Sequence, residues 1–125
     1  MANEKIIEFY AENSFVSAFT SFITQEITDW NIQAIEDSEI IIIPKYFLDD
    51  LYKRDNCWAI FGLKIFETQT LKKCNREKSI LVNSATERYL IFRKQYENIE
   101  NRLSLNQIAL YLGIQPESLS RIRKV

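Results

Sequence analysis

Two glycines, Gly62 and Gly113, and two prolines, Pro44 and Pro116, are all the strong punctuation in 125 residues. A chain this short of turn residues favours long helices over a hairpin-rich sandwich. The clearest run lies between Asn56 and Val82. It holds no proline and one glycine, which a helix tolerates. Trp58, Phe61, Ile65, Leu71, Cys74 and Leu81 follow mixed three- and four-residue steps, so a helix is predicted over 56–82. At roughly 25 residues it would be about 38 Å long. That is long for a chain of this size, so a partner outside its own core is expected. Trp58, Phe61, Ile65 and Leu71 are the candidate pairing residues, with Lys64, Lys72 and Lys78 interrupting the seam.

Helix boundaries beyond that run are written in cap residues. Ser84-Ala85-Thr86-Glu87 is a capping box, with hydroxyl and carboxylate each able to satisfy the other residue's amide. It opens a helix running to about Glu97. Ser104-Leu105-Asn106-Gln107 repeats the signal, and Gly113 permits the left-handed turn that ends the helix. Pro116 then sits where a first helical residue would, with Glu117 suited to a helix N-terminus. Three helices in 84–125 make a tri-helical unit.

The N-terminal half reads differently. Residues 5–11, K-I-I-E-F-Y-A, are rich in β-formers and predict a strand. A turn at Glu12-Asn13-Ser14 precedes a short helix near 17–23. Residues 30–35 alternate Trp30, Ile32 and Ala34 on one face, Glu36-Asp37-Ser38 turns, and 39–43 is an apolar strand stopped by Pro44. Together 30–35 and 39–43 predict an antiparallel hairpin. Pro44 then suits the first turn of a helix over 46–53.

Composition excludes several chemistries. There is no histidine, and the two cysteines, Cys57 and Cys74, have no CxxC spacing, which leaves no Cys/His zinc site and no haem ligation. Reduced cytosolic thiols are expected. No catalytic constellation is visible, so no enzyme and no cofactor is expected; Asp49-Asp50 reads as a solvated helix face. The apolar run Ile40 to Ile43 is far short of a membrane span, and the N-terminus lacks a signal-peptide core. A soluble, cytoplasmic protein is expected. The net charge of −1 hides an asymmetry: residues 1–50 carry two basic against ten acidic residues, and 51–125 carry fourteen against seven. One half repels polyanions and the other can approach them.

The basic half ends in a recognisable pattern. Ile108 and Leu112 share one face of the first short helix, Leu119 and Ile122 one face of the second, and Ile114 plugs the angle between. Small Ala109 allows close approach. This is helix-turn-helix spacing, in which a second helix over 116–124 presents its outer face to a major groove. The outward residues are Gln115, Glu117, Ser118, Arg121, Arg123 and Lys124. Glutamate can accept from cytosine N4 and arginine can fork onto guanine, while Ser118 and Lys124 suit phosphates. A plain helical hairpin with a basic end would look similar, since cations also suit a helix C-terminus.

The stretch E-R-Y-L-I-F (87–92) followed by I-A-L-Y-L-G-I-Q-P-E-S-L-S-R-I-R-K (108–124) resembles the CRP/FNR family of bacterial transcription regulators, in particular a branch with Y-L-G-I-T-P-E-S-L-S-R-I-R-K-type tails. More loosely, E-N-S-F-V-S-A-F-T-S-F (12–22) is similar to the family's phosphate-binding cassette, and A-I-E-D-S-E-I-I-I-I-P (34–44) to the last strands of its effector domain. The resemblance implies an α+β chain in three parts: a partial antiparallel β-roll over 1–55, a long dimerisation helix over 56–82, and a helix-turn-helix domain over 83–125. It implies a homodimer on double-stranded DNA, with recognition helices reaching successive major grooves roughly 34 Å apart.

Where cyclic-nucleotide-binding members have F-G-E-L and then R-S-A or R-T-A, this chain has Phe15-Val16-Ser17-Ala18 and, approximately, Thr28-Asp29-Trp30. The glycine, the ribose-binding glutamate and the phosphate-binding arginine are missing, and Asp29 would repel a phosphate. A degenerate effector pocket that does not take cAMP is therefore expected. The chain begins where the family's β-roll is half built, implying a truncated or eroded sensor, and it ends without a full wing hairpin. The alternative is an interaction module that pairs with a full-length relative through 56–82 and does not bind DNA.

Overall fold

The computed structural model describes residues 4–124. In order they form α1 (Phe19–Thr24), α2 (Lys45–Arg54), α3 (Asn56–Val82), α4 (Ala85–Gln95), a one-turn 3-10 helix (Glu100–Arg102), α5 (Leu105–Leu112) and α6 (Pro116–Arg123). The long helix has the ends its sequence predicts. Two compact units divide the chain. One joins the N-terminal residues up to Ser14 with those from Lys72 onward, and the other is Phe15–Leu71.

Among the described residues there is no strand, which overturns the α+β expectation and its β-roll. β-propensity states only that a segment suits a pleated surface, and a ladder neighbour must exist to realise it. Residues 5–11 find other company. Phe9 enters an aromatic cluster, with ring centroids 5.4 Å from Tyr111, 5.6 Å from Tyr96 and 6.2 Å from Phe92. The Ile6 amide reaches the Leu110 carbonyl at 3.5 Å, and Glu8 pairs with Lys72 at 3.1 Å. The predicted hairpin of 30–35 with 39–43 is absent too: no backbone hydrogen bond joins the two segments.

The first unit has a closed core of Tyr89, Phe92, Tyr96, Ile99, Ile108, Ala109, Tyr111, Leu112 and Leu119. Both serine caps form as complete boxes. The Ser84 amide donates to Glu87 Oε2 at 2.7 Å and the Glu87 amide to Ser84 Oγ at 3.2 Å. The Ser104 amide donates to Gln107 Oε1 at 2.8 Å and the Gln107 amide to Ser104 Oγ at 3.1 Å. Between these boxes Glu100 ties the connection to α4, accepting from the Tyr89 hydroxyl at 2.9 Å and from Arg93 Nε at 3.2 Å. Glu12 accepts from both terminal guanidinium nitrogens of Arg102, at 2.8 and 3.2 Å, fixing the N-terminal segment.

The unit Phe15–Leu71 packs through edge-on aromatic pairs: Phe15 with Phe61, Phe19 with Phe66, and Trp58 with Phe61. Its one buried residue is Gly62. A Cβ there would lie 2.6 Å from the Tyr52 hydroxyl, so glycine lets the α2 ring lie against α3. Asp55 separates the two helices, its carboxylate accepting the Cys57 amide at 2.8 Å.

Candidate nucleic-acid interface

Leu105–Leu112 and Pro116–Arg123 are two eight-residue helices joined by three residues. Gly113 supplies the joint, with φ 71° and ψ 33°. Its amide and that of Ile114 both turn back to the Ala109 carbonyl, satisfying groups that the end of α5 would leave open. Gln115 is extended and Pro116 opens α6. Leu119 is 0% exposed, Ile108 and Ala109 are 1% exposed, and the half-buried Ile114 and Ile122 pack around them. One residue thus pins α6 across α5.

That seating turns the opposite face outward. Gln115, Glu117, Arg121, Arg123 and Lys124 are exposed, and Ser118 is half-buried beside them. Arg121 Nη2 donates to Ser118 Oγ at 3.2 Å, so the two side chains three residues apart form one polar patch. The helix ends at Arg123, and Lys124 is its C-cap. The Gln115 side chain makes no cap hydrogen bond. Three cations and one carboxylate therefore line the accessible end of α6, an arrangement able to accept from or donate to base edges and phosphates.

Behind the pair lies a support the sequence did not announce. Arg88 donates to the carbonyls of Asn83 at 3.0 Å and Leu112 at 3.1 Å. Arg76 donates to the Tyr111 carbonyl, and its guanidinium lies 3.7 Å above the Tyr111 ring. Two guanidiniums thus occupy the C-terminal carbonyls of α5, where the helix dipole favours cations. The buried Arg88 Nε has no hydrogen bond. The partners lie 35 and 24 residues apart in sequence, so no local spacing signals these contacts.

The residues matched to the effector pocket fall in the other unit. Val16, Ser17 and Ala18 line an open cavity of about 490 Å³ with Gln25, Glu26 and Ile32 among its walls. Its one charged lining side chain is Glu26, an anion. Phe15 is turned away onto Phe61. Thr28 accepts the Trp30 amide at 3.1 Å, and neither Thr28 nor Asp29 lines the cavity.

Along α3 the four candidate pairing residues do not share a face. At about 100° per residue, Trp58, Phe61 and Ile65 point one way and Leu71 lies roughly 120° round from Ile65. The ring contacts of Trp58 and Phe61 are made within their own unit. A second stripe is more open: Ile60, Leu63, Leu71 and Leu81 are all more than half exposed, with exposed Cys74 in phase with them. Ile60, Glu67, Cys74 and Leu81 repeat at seven residues, the interval of a two-helix seam. That interval was the signal available in the sequence.

No described helix is long and apolar enough to cross a membrane. Among the described residues no group of three histidine, cysteine, aspartate or glutamate side chains is placed to hold a metal ion. No family model, characterised protein or solved structure matches the chain.

Proposed function

We propose that the chain is a cytoplasmic DNA-binding transcription regulator of the CRP/FNR kind, reading double-stranded DNA through α6. The observation that carries this reading is the complete burial of Leu119, which leaves Arg121, Arg123 and Lys124 pointing away from the core. Arg121 is the base-reading residue, Glu117 and Gln115 add donor and acceptor choice, and Ser118 and Lys124 hold phosphates. A single α6 neutralises few phosphates, so binding is weak and salt-dependent unless two copies act together. The stripe of Ile60, Leu63, Leu71 and Leu81 favours a parallel pair of α3 helices.

Selection of the purified chain on a randomised duplex pool, followed by titration over a salt series, tests the reading. Retention on a defined site is expected, with Arg121→Ala costing about 1–3 kcal/mol and relaxing the preference at one base pair. Lys124→Ala is expected to weaken all sequences alike and lower the salt slope by about one. No retention at low salt on any sequence defeats the DNA reading. The same open stripe on α3 favours a second reading, a module that pairs with a longer relative and leaves DNA alone. Under it Arg121→Ala leaves partner binding intact. A parallel α3 pair places Cys74 beside Cys74, so mild oxidation should link two copies through that thiol and not through Cys57.

A further inference from the structure

Residues 39–45 read E-I-I-I-I-P-K, and the ends of that stretch matter as much as its middle. Ile40, Ile41 and Ile42 are 70%, 86% and 85% exposed. No hydrogen bond among the described residues reaches the backbone of 39–43. Four consecutive β-branched residues with open peptide groups suit a strand that has a neighbour. Pro44 decides on which side that neighbour lies. Along a strand the amides of alternate residues point to opposite edges, so Ile40, Ile42 and Pro44 share one edge, and Glu39, Ile41 and Ile43 the other. The first edge lacks a donor at Pro44; the second is whole.

We propose that this second edge pairs antiparallel with the same edge of another copy of the chain, about a two-fold axis through Ile42. In that register Ile41 exchanges both backbone hydrogen bonds with Ile43 of the second copy. Ile42 faces Ile42 across a non-hydrogen-bonded position. Pro44 falls opposite Ile40, where no amide is required. At each end Glu39 of one copy lies beside Lys45 of the other. A parallel pairing would instead set Glu39 against Glu39 and Lys45 against Lys45, which is repulsive. Lys45 already holds Asp49 at 2.7 Å, but its side chain is 30% exposed and an ammonium has three donors. The defect at Pro44 leaves the outer edges poor acceptors of a third strand, so the pair is closed and does not stack into fibres.

Cross-linking tests the register. In a chain carrying Cys57→Ser and Cys74→Ser, Ile42→Cys puts two thiols at opposed positions with Cα atoms about 4.5 Å apart, inside the range a disulfide spans, roughly 4.4–6.8 Å. Ile40→Cys puts them about 14 Å apart along the strand, out of reach. Under mild oxidant Ile42→Cys is expected to run as a covalent dimer on a non-reducing gel, and Ile40→Cys as a monomer. A monomeric Ile42→Cys chain, or equal linking by Ile40→Cys, overturns the proposal. Sedimentation supplies the second measurement. Glu39→Lys should raise the concentration needed for self-association at least threefold, and adding Lys45→Glu should restore it. No change with Glu39→Lys, or no restoration, overturns the register. A chain monomeric at every concentration leaves the edge to another protein's strand and overturns it as well. Arg121 and its neighbours are untouched throughout, so this result and the DNA titration stand or fall separately.

Discussion

The unit Phe15–Leu71 is the richer of the two in large apolar side chains, yet every buried hydrophobic residue lies in the other. The difference lies in how far each segment must look for its neighbour. In residues 84–124 each helix packs on the next across a short connection, and two serine boxes and a left-handed glycine set helix ends through atoms three or four residues away. In residues 25–44 the apolar groups sit on segments suited to strands, whose peptide groups need a neighbour that local sequence does not supply. Hydrophobicity is common to both. It becomes a core where helices with fixed ends close on one another, as α4, α5 and α6 do.

The widest contrast should appear on truncating one side chain in each unit. Phe92→Ala removes a ring that is 1% exposed and should cost about 3–5 kcal/mol, read by urea denaturation of the first unit. Ile41→Ala, at 86% exposure in a single copy, should stay within about 0.5 kcal/mol at concentrations too low for copies to pair. Equal losses in that dilute chain would show that residues 39–43 are covered within one copy, and would break the contrast.

Next in size is the joint between α5 and α6. Gly113→Ala meets no atom within 4 Å, so its whole effect comes from the positive φ. A loss of about 1–2 kcal/mol is expected, with weaker DNA retention as α6 shifts. An unchanged melting temperature would mean that the turn does not depend on its glycine.

The smallest effect concerns acid. Hydrogen bonds from the Arg102 guanidinium hold the Glu12 carboxyl at about 2, below its ordinary value of 4.5. Its contribution is complete above 4.5 and fades as pH falls from there through about 2. The pair is solvent-exposed, so the expected change is slight: earlier amide exchange of residues 5–12 over that interval, abolished by Glu12→Gln. Exchange that stays constant across the interval in the native chain would remove the pair from any role in docking that segment.

What the sequence made legible follows the same division. Ser84, Ser104, Gly113 and Pro116 act on atoms three or four residues away, and the helices they delimit lie where those residues place them. The outer face of α6 was readable because Leu119 and Ile122 fix which side is buried. Residues 5–11 were misread because their β-branched character is real but Phe9 has three aromatic neighbours to join. Leu71 was grouped with Trp58 and Ile65 by step counting, although six residues from Ile65 carry it round to another side of the helix. Arg76 and Arg88 left no trace, because what they bind is backbone, which any sequence offers.

Arg76 belongs to α3, and its guanidinium is committed twice, to the carbonyl and to the ring of Tyr111. This makes it a latch between the later turns of α3 and the rear of α5. Twisting that stretch of α3 by a single residue's worth, about 100°, would carry the guanidinium off the ring and release the rear of α5. Arg88, on the Leu112 carbonyl, would then be the guanidinium still clasping the end of that helix.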